Sequence, residues 1–141
     1  MDKKQYLEYI DHFNKKRYDA VTSYFDPDIV VEYGDNGTYS GKPPQTLHSR
    51  EEFAKFYKNL HEYVREVLEL GNFMTRGNLL FAELYTEFHC FKDAPASAGI
   101  SWKKGDVTVM TNWVMYTLEG DKMKRIQIAH FRMHDPRQAK Y

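Results

Sequence analysis

His130, Asn112, Tyr33 and Asp35 are the residues of this chain whose types and settings suit acid–base chemistry and the hydrogen bonding of a ligand. Imidazole alone changes charge near neutrality without help from its surroundings, which makes His130 the principal proton carrier among them. It shares strand parity with Ile126, Ile128 and Arg132, and the isoleucines mark that side as the inner one. Asn112 falls among Met110, Val114 and Tyr116, although asparagine is a poor strand former. A buried amide there needs partners, and a ligand would supply them. Tyr33 brings a phenol able to donate to a carbonyl or a developing enolate; its other reading is a packed core tyrosine. Asp35, two residues on, is a base if burial raises its proton affinity, or else it shapes the Asp35-Asn-Gly37 turn.

These side chains need a scaffold, and the segment from Asp106 to Asp135 supplies its plainest part. Val107 to Leu118 and Lys122 to Met133 are rich in β-branched and aromatic residues, and Glu119-Gly-Asp121 between them is hairpin chemistry. Arms of this length twist and coil rather than lie flat. Upstream, Tyr6, Tyr9, Ile10 and Phe13 form one apolar stripe of a helix from Lys3 to Lys16. A short helix from Tyr18 to about Tyr24 is stopped by Asp26-Pro27, and Ile29 to Tyr33 alternates as a strand. Tyr39 to Pro44 reads as loop. Ser49-Arg-Glu-Glu52 is a capping-box signature opening a helix with Phe53, Phe56, Tyr57 and Leu60 on its apolar side.

Two more strands are predicted, about Tyr63 to Met74 and Leu79 to Lys92. In the second, Leu80, Ala82, Leu84, Thr86, Phe88 and Cys90 make the inner face, with Glu83, Glu87 and His89 outside, in solvent or at a dimer seam. Asp93 to Gly105 is a connection that can sit over a pocket mouth. The expectation is an α+β domain spanning 1–141, with three helices packed on a curved, mostly antiparallel sheet that encloses an apolar pocket.

Composition narrows the class. Twenty basic residues balance twenty acidic ones in 141, which leaves no basic footprint for nucleic acid or an anionic membrane. The single cysteine, Cys90, rules out an intrachain disulfide and fits a reducing compartment. There is neither an apolar run of membrane-spanning length nor a signal-peptide stretch after Met1, so a soluble cytoplasmic protein is expected. Aromatics make up 16% of the chain, with eleven tyrosines, which suits either a bulky core or an apolar pocket with hydroxyls that orient a ligand.

In order of elements the chain resembles the NTF2-like superfamily, and within it the SnoaL-like polyketide cyclases, scytalone dehydratase and ketosteroid isomerase. The resemblance is carried by Arg17-Tyr-Asp-Ala-Val-Thr-Ser-Tyr-Phe-Asp-Pro-Asp-Ile-Val-Val-Glu-Tyr33, by Ser49-Arg-Glu-Glu-Phe-Ala-Lys-Phe-Tyr57 and by Glu119 to Phe131. It implies a cone whose concave sheet face and first helix enclose a cavity, and frequent homodimers through the other face. It also implies a substrate-orienting tyrosine or a base at the end of the first strand (Tyr33), a cavity tyrosine at Tyr9, an orienting asparagine at Asn112 and a cavity histidine at His89. Parity puts His89 outside; a bulge in its strand would reconcile the two. Phe13, Phe88, Tyr116 and Ile128 complete the expected substrate-binding wall. Val109, Thr111, Trp113 and Met115 leave an apolar outer face, which points to a homodimer.

Where the dehydratase carries its other histidine and its helix-one aspartate, this chain has Val67 and Asn14, so dehydration by that apparatus is not expected. No metal is expected either, because no His, Cys or carboxylate pair has ligand spacing on a common inner face. Gly34 to Gly37 lacks the following helix that a phosphate loop needs. Two functions remain. One is a cofactor-independent isomerase, cyclase or dehydratase that enolises a hydrophobic polycyclic small molecule of secondary metabolism. The other is a non-catalytic small-molecule-binding or dimeric interaction module of the same fold.

Overall fold

A computed structural model of the chain describes residues 1–34, 45–95 and 102–141. Helix α1 (Lys3–Asn14) starts at a capping box in which the Asp2 carboxylate accepts from the Gln5 amide and the Gln5 side chain accepts from the Asp2 amide. Its stripe of Tyr6, Tyr9, Ile10 and Phe13 is buried, as the spacing predicts. Helix α2 (Tyr18–Thr22) is one turn and a half, and β1 (Phe25–Tyr33) follows it directly. The strand starts earlier than the Asp26-Pro27 signal suggests. It pairs at Phe25, loses register through the proline, and pairs again from Val30. A short strand, β2 (Gln45–Leu47), was not anticipated.

Helix α3 (Arg50–Leu60) is capped by Ser49 Oγ, which accepts from the Glu52 amide. The Glu52 carboxylate reaches back to the amide of His48, one residue before the usual box position. Three long strands complete the chain with β3 (Val64–Arg76): β4 (Leu79–Cys90), β5 (Val107–Glu119) and β6 (Lys122–His134). A single 3-10 turn, Pro136–Gln138, follows.

The six described strands form one sheet in the order β2-β1-β6-β5-β4-β3, antiparallel everywhere except between β1 and β6. Helix α1 packs on β3 and α3 on β1, so the helices cover one face. The β5–β6 hairpin closes through Gly120 at φ +62, a left-handed position that favours glycine.

Two irregularities aim side chains. On β3, Gly71 and Asn72 together oppose one residue of β4, between the pairs Leu70–Leu84 and Phe73–Ala82. On β6, Phe131 is the extra residue between the pairs Asn112–His130 and Thr111–Arg132. Such bulges bend and twist a strand. The second also corrects the parity reading. Arg132 leaves the face of Ile126, Ile128 and His130 and lies on the outer side, over the Phe131 ring. None of the described helices is long and apolar enough to cross a membrane.

Candidate active site

Between the helices and the inner sheet face lies a cavity of about 260 Å³. Its apolar wall comes from Phe13 of α1, from Phe53, Phe56 and Leu60 of α3, and from Leu84, Phe88, Val114, Ile126 and Ile128 of the sheet. Strand parity dictates this set. The β4–β5 register runs without a break from Leu79–Thr117 to His89–Val107, so alternate residues keep to one face throughout. A wider groove of about 980 Å³ runs outside α3, but it is lined by Arg50, Glu51, Lys55, Lys58 and Glu62 and is open to solvent. The smaller cavity is where polar groups converge.

Asn112 is the central one. It pairs with Leu84 on one side and His130 on the other. Its Nδ2 donates to Thr86 Oγ1 at 3.0 Å, and its Oδ1 is, among the described residues, the fully buried side-chain oxygen or nitrogen with no partner. A carbonyl oxygen left so costs on the order of 1–3 kcal/mol, which a hydroxyl or N–H of a bound molecule recovers. Because the Thr86 hydroxyl can accept or donate, a half-turn of the amide presents N–H to the cavity instead.

Tyrosine hydroxyls supply the remaining donors. Tyr33 and Tyr57 share a short hydrogen bond, and Tyr6 and Tyr116 share another of 2.8 Å. In the Tyr33–Tyr57 pair one hydroxyl hydrogen is used and the other is left to donate onward, whereas Tyr116 is bonded to Tyr9 as well as to Tyr6. Burial pushes Tyr9, Tyr33, Tyr57 and Tyr116 well up from the ordinary phenol range, so all four stay protonated donors. The charge of Glu66 adds to the rise at Tyr33 and Tyr57.

Glu66 is the carboxylate that the sequence reading missed. It lies on the inner face of β3 between Val64 and Leu68, buried, and lines the cavity. Its Oε2 sits 2.9 Å from Nε2 of His61, at the end of α3, and Nδ1 of His61 sits 2.6 Å from the Tyr18 hydroxyl. The signal was present as a lone glutamate in the alternating run Val64, Glu66, Leu68, Leu70. Asn14, close by, is a clamp: its amide both accepts from the Leu68 N–H and donates to the Leu68 carbonyl, each at 2.8 Å.

The expected residues divide. Tyr9, Phe13, Tyr33, Phe88, Asn112, Tyr116 and Ile128 line the cavity, and His130 stands at its edge with its own surface exposed. Asp35 lies outside the described residues. His89 faces away, because β4 carries no bulge against β5 that would turn it inward. There its Nε2 lies 2.7 Å from Glu87 Oε1. Glu87 is on the outer face, as parity has it, but not in solvent, one of the two settings expected there (the other a dimer seam); it is fully buried under the C-terminal residues Lys140 and Tyr141. Among the described residues no group of three His, Cys, Asp or Glu is placed to hold a metal ion.

Comparison with known proteins places this geometry. The family model for the SnoaL-like domain matches residues 6–126. No curated protein sequence matches the chain. Among solved structures, it is similar to an NTF2-like protein of unknown function from Burkholderia pseudomallei K96243, at 12% identity and TM-score 0.70 over 90% of this chain and 88% of that one. A candidate polyketide cyclase from Xanthomonas campestris pv. campestris follows at 17% identity and TM-score 0.69, covering 86% and 84%. An LEH-like epoxide hydrolase from M. tuberculosis shares 7% identity at TM-score 0.65, over 86% and 76%. Likenesses this remote in sequence carry the fold alone, and the chemistry rests on the side chains in the cavity.

Proposed function

This chain belongs to the family of SnoaL-like domains, and on that premise we propose that it is a cofactor-independent enzyme that enolises a compact hydrophobic carbonyl compound, as an isomerase, cyclase or dehydratase. The reading is carried by Asn112, which lines the cavity beside Glu66 and several tyrosines and whose buried amide oxygen has no partner among the described residues. Enolisation needs a base and hydrogen-bond donors at the developing oxyanion, and side chains of the cavity can supply both. Asn112 and the Tyr33–Tyr57 pair orient and stabilise the substrate oxygen. Glu66 inside the cavity and His130 at its edge are the groups that can take the proton. Pockets for drug-sized ligands begin near ~300 Å³; about 260 Å³ therefore suits one or two fused rings rather than a large polycycle.

The test is α-hydrogen exchange of a bicyclic ketone, 2-tetralone, in D₂O, followed by proton NMR. Exchange faster than in buffer, and saturable in ketone, is the expected result. Saturable binding with no exchange would instead make the chain a binding module.

We propose also that two copies associate through the outer sheet face. Val109, counted among its apolar residues, is fully buried, while the terminal 3-10 turn packs on β5. Trp113 and Phe131 remain 39% and 46% exposed, stacked at 3.8 Å, with Phe81 edge-on to Trp113. An exposed aromatic cluster of this kind is typical of an interface centre. Sedimentation should give a species of twice 16.8 kDa at micromolar concentration, and Trp113→Ala should shift it towards the monomer.

A further inference from the structure

We propose that Glu66 is the group that carries the proton in the cavity, with His61 and Tyr18 as the residues that hold it in position; this rests on the reading of the cavity as an enolising site. Glu66 and His61 have side chains only 7% and 3% exposed. A carboxylate so far removed from water needs compensating donors, and one that is merely structural gathers several. Among the described residues Glu66 has one, Nε2 of His61, and that bond goes to Oε2. Oε1 is left for a molecule in the cavity.

The imidazole is fixed at both nitrogens. Nδ1 lies 2.6 Å from the Tyr18 hydroxyl and Nε2 2.9 Å from Glu66 Oε2, so a ring that donates from Nε2–H to the carboxylate can accept at Nδ1 from Tyr18. The ring stacks on Tyr18, meets Phe13 edge-on and lies tilted against Tyr57, which fixes its plane as well. Three elements therefore converge on one carboxylate: α2 through Tyr18, the end of α3 through His61, and β3 through Glu66 itself. The charge of Glu66 is felt at Tyr18, which burial first and Glu66 second push up to about 12. It is felt also at Tyr33 and Tyr57, the hydroxyls proposed to hold the substrate oxygen.

In the reaction, the bond between the substrate's α-carbon and its hydrogen breaks, and its electron pair moves into the enolate, whose oxygen takes the negative charge. The proton forms a new O–H bond on Oε1, leaving Glu66 neutral. Return of that proton to another carbon, or its replacement from solvent, restores the carboxylate. His61 keeps its protons throughout.

The experiment is the 2-tetralone exchange assay on Glu66→Gln, which keeps the shape and removes the base, with ketone binding measured in parallel. The exchange rate should fall by about 10²- to 10⁴-fold, with binding unchanged. Glu66→Asp, which retracts the carboxylate by one methylene, should keep part of the activity and covers the case in which the glutamine variant fails to fold. His61→Gln, which preserves an N–H donor, should retain more exchange than His61→Ala. Tyr18→Phe, which preserves the stack, should lower kcat and leave KM unchanged. Exchange at the wild-type rate in Glu66→Gln, with loss in His130→Gln, would overturn the proposal and make His130 the carrier. A wild-type protein that binds 2-tetralone and exchanges nothing would overturn the enolising site itself, and this inference with it.

Discussion

Two buried glutamates, each beside a histidine and a tyrosine, sit on opposite faces of the same sheet. Glu66 faces the cavity with His61 and Tyr18 behind it; Glu87 faces outward with His89 and Tyr85. The residue types are identical and the saturation is not. Glu87 accepts four hydrogen bonds. Oε1 takes His89 Nε2 at 2.7 Å and the Tyr141 amide at 3.1 Å, and Oε2 takes the Tyr85 hydroxyl and the Lys140 amide at 2.6 Å. Among the described residues Glu66 accepts one. A carboxylate with every lone pair engaged is a fastener, and here it ties the C-terminal residues to the sheet. One with an oxygen in reserve beside an apolar cavity is placed for chemistry.

The sharpest way to break this contrast is to remove the fastener. Glu87→Gln leaves buried donors facing an amide N–H, which should destabilise the fold by about 3 kcal/mol in chemical denaturation. It should leave 2-tetralone exchange by the folded fraction unchanged. The pH dependence follows from the same bonds. Burial pushes the Glu87 carboxyl up, but the Tyr85 hydroxyl, His89 and the two amides outweigh it and hold the group down at about 2, against an ordinary 4.5. The folded value lies below the unfolded one, so this contribution is complete above about 4.5 and is lost as pH falls towards 2. Wild type should lose stability across that window, and Glu87→Gln should show a flatter curve.

Asn112→Ala attacks the cavity side and comes next in size. It removes a group proposed to hold the developing oxyanion, so exchange should slow by about ten- to a thousand-fold. Stability should change less, since the hydrogen bond lost is the one from Nδ2 to Thr86 Oγ1 and the buried amide oxygen has no partner among the described residues to lose. A variant that lost stability and kept its exchange rate would turn the contrast around, with Asn112 as a core fastener through Thr86.

How much of this could be read from the chain depends on range. Strand alternation in 79–92 and 107–118 selects Leu84, Phe88, Asn112 and Tyr116 for the inner face, because a side-chain period of two survives wherever the register is unbroken. It fails at Arg132, where the Phe131 bulge resets the count. It says nothing of His61 and Glu66, which meet across the junction of a helix end and a strand start, where neither period applies. It puts Glu87 on the outer face, where it lies, but cannot show that it is buried there, since the residues that cover it are more than fifty positions away. Glu87 and Glu83 have the same parity and similar neighbours in sequence, and only the returning C-terminal residues separate a buried carboxylate from a surface one.

Glu83 therefore gives the comparison its baseline, and the smallest expected effect. It sits on the outer face of β4, where Oε2 accepts from Trp113 Nε1 at 2.9 Å and Oε1 from Asn72 Nδ2 at 3.2 Å. Both bonds lie at the surface, where water replaces a lost partner at little cost. In Glu83→Gln the amide oxygen still accepts one of the two bonds, so stability should stay within about 0.5 kcal/mol of wild type, and exchange should not change. Denaturant titration and the 2-tetralone assay check the two halves. If Glu83→Gln cost as much as Glu87→Gln, the number of donors would not be what distinguishes the glutamates of this sheet. The outer aromatic cluster of Trp113, Phe131 and Phe81 would then hold Glu83 in a buried setting, which a second copy of the chain packed on that face would create.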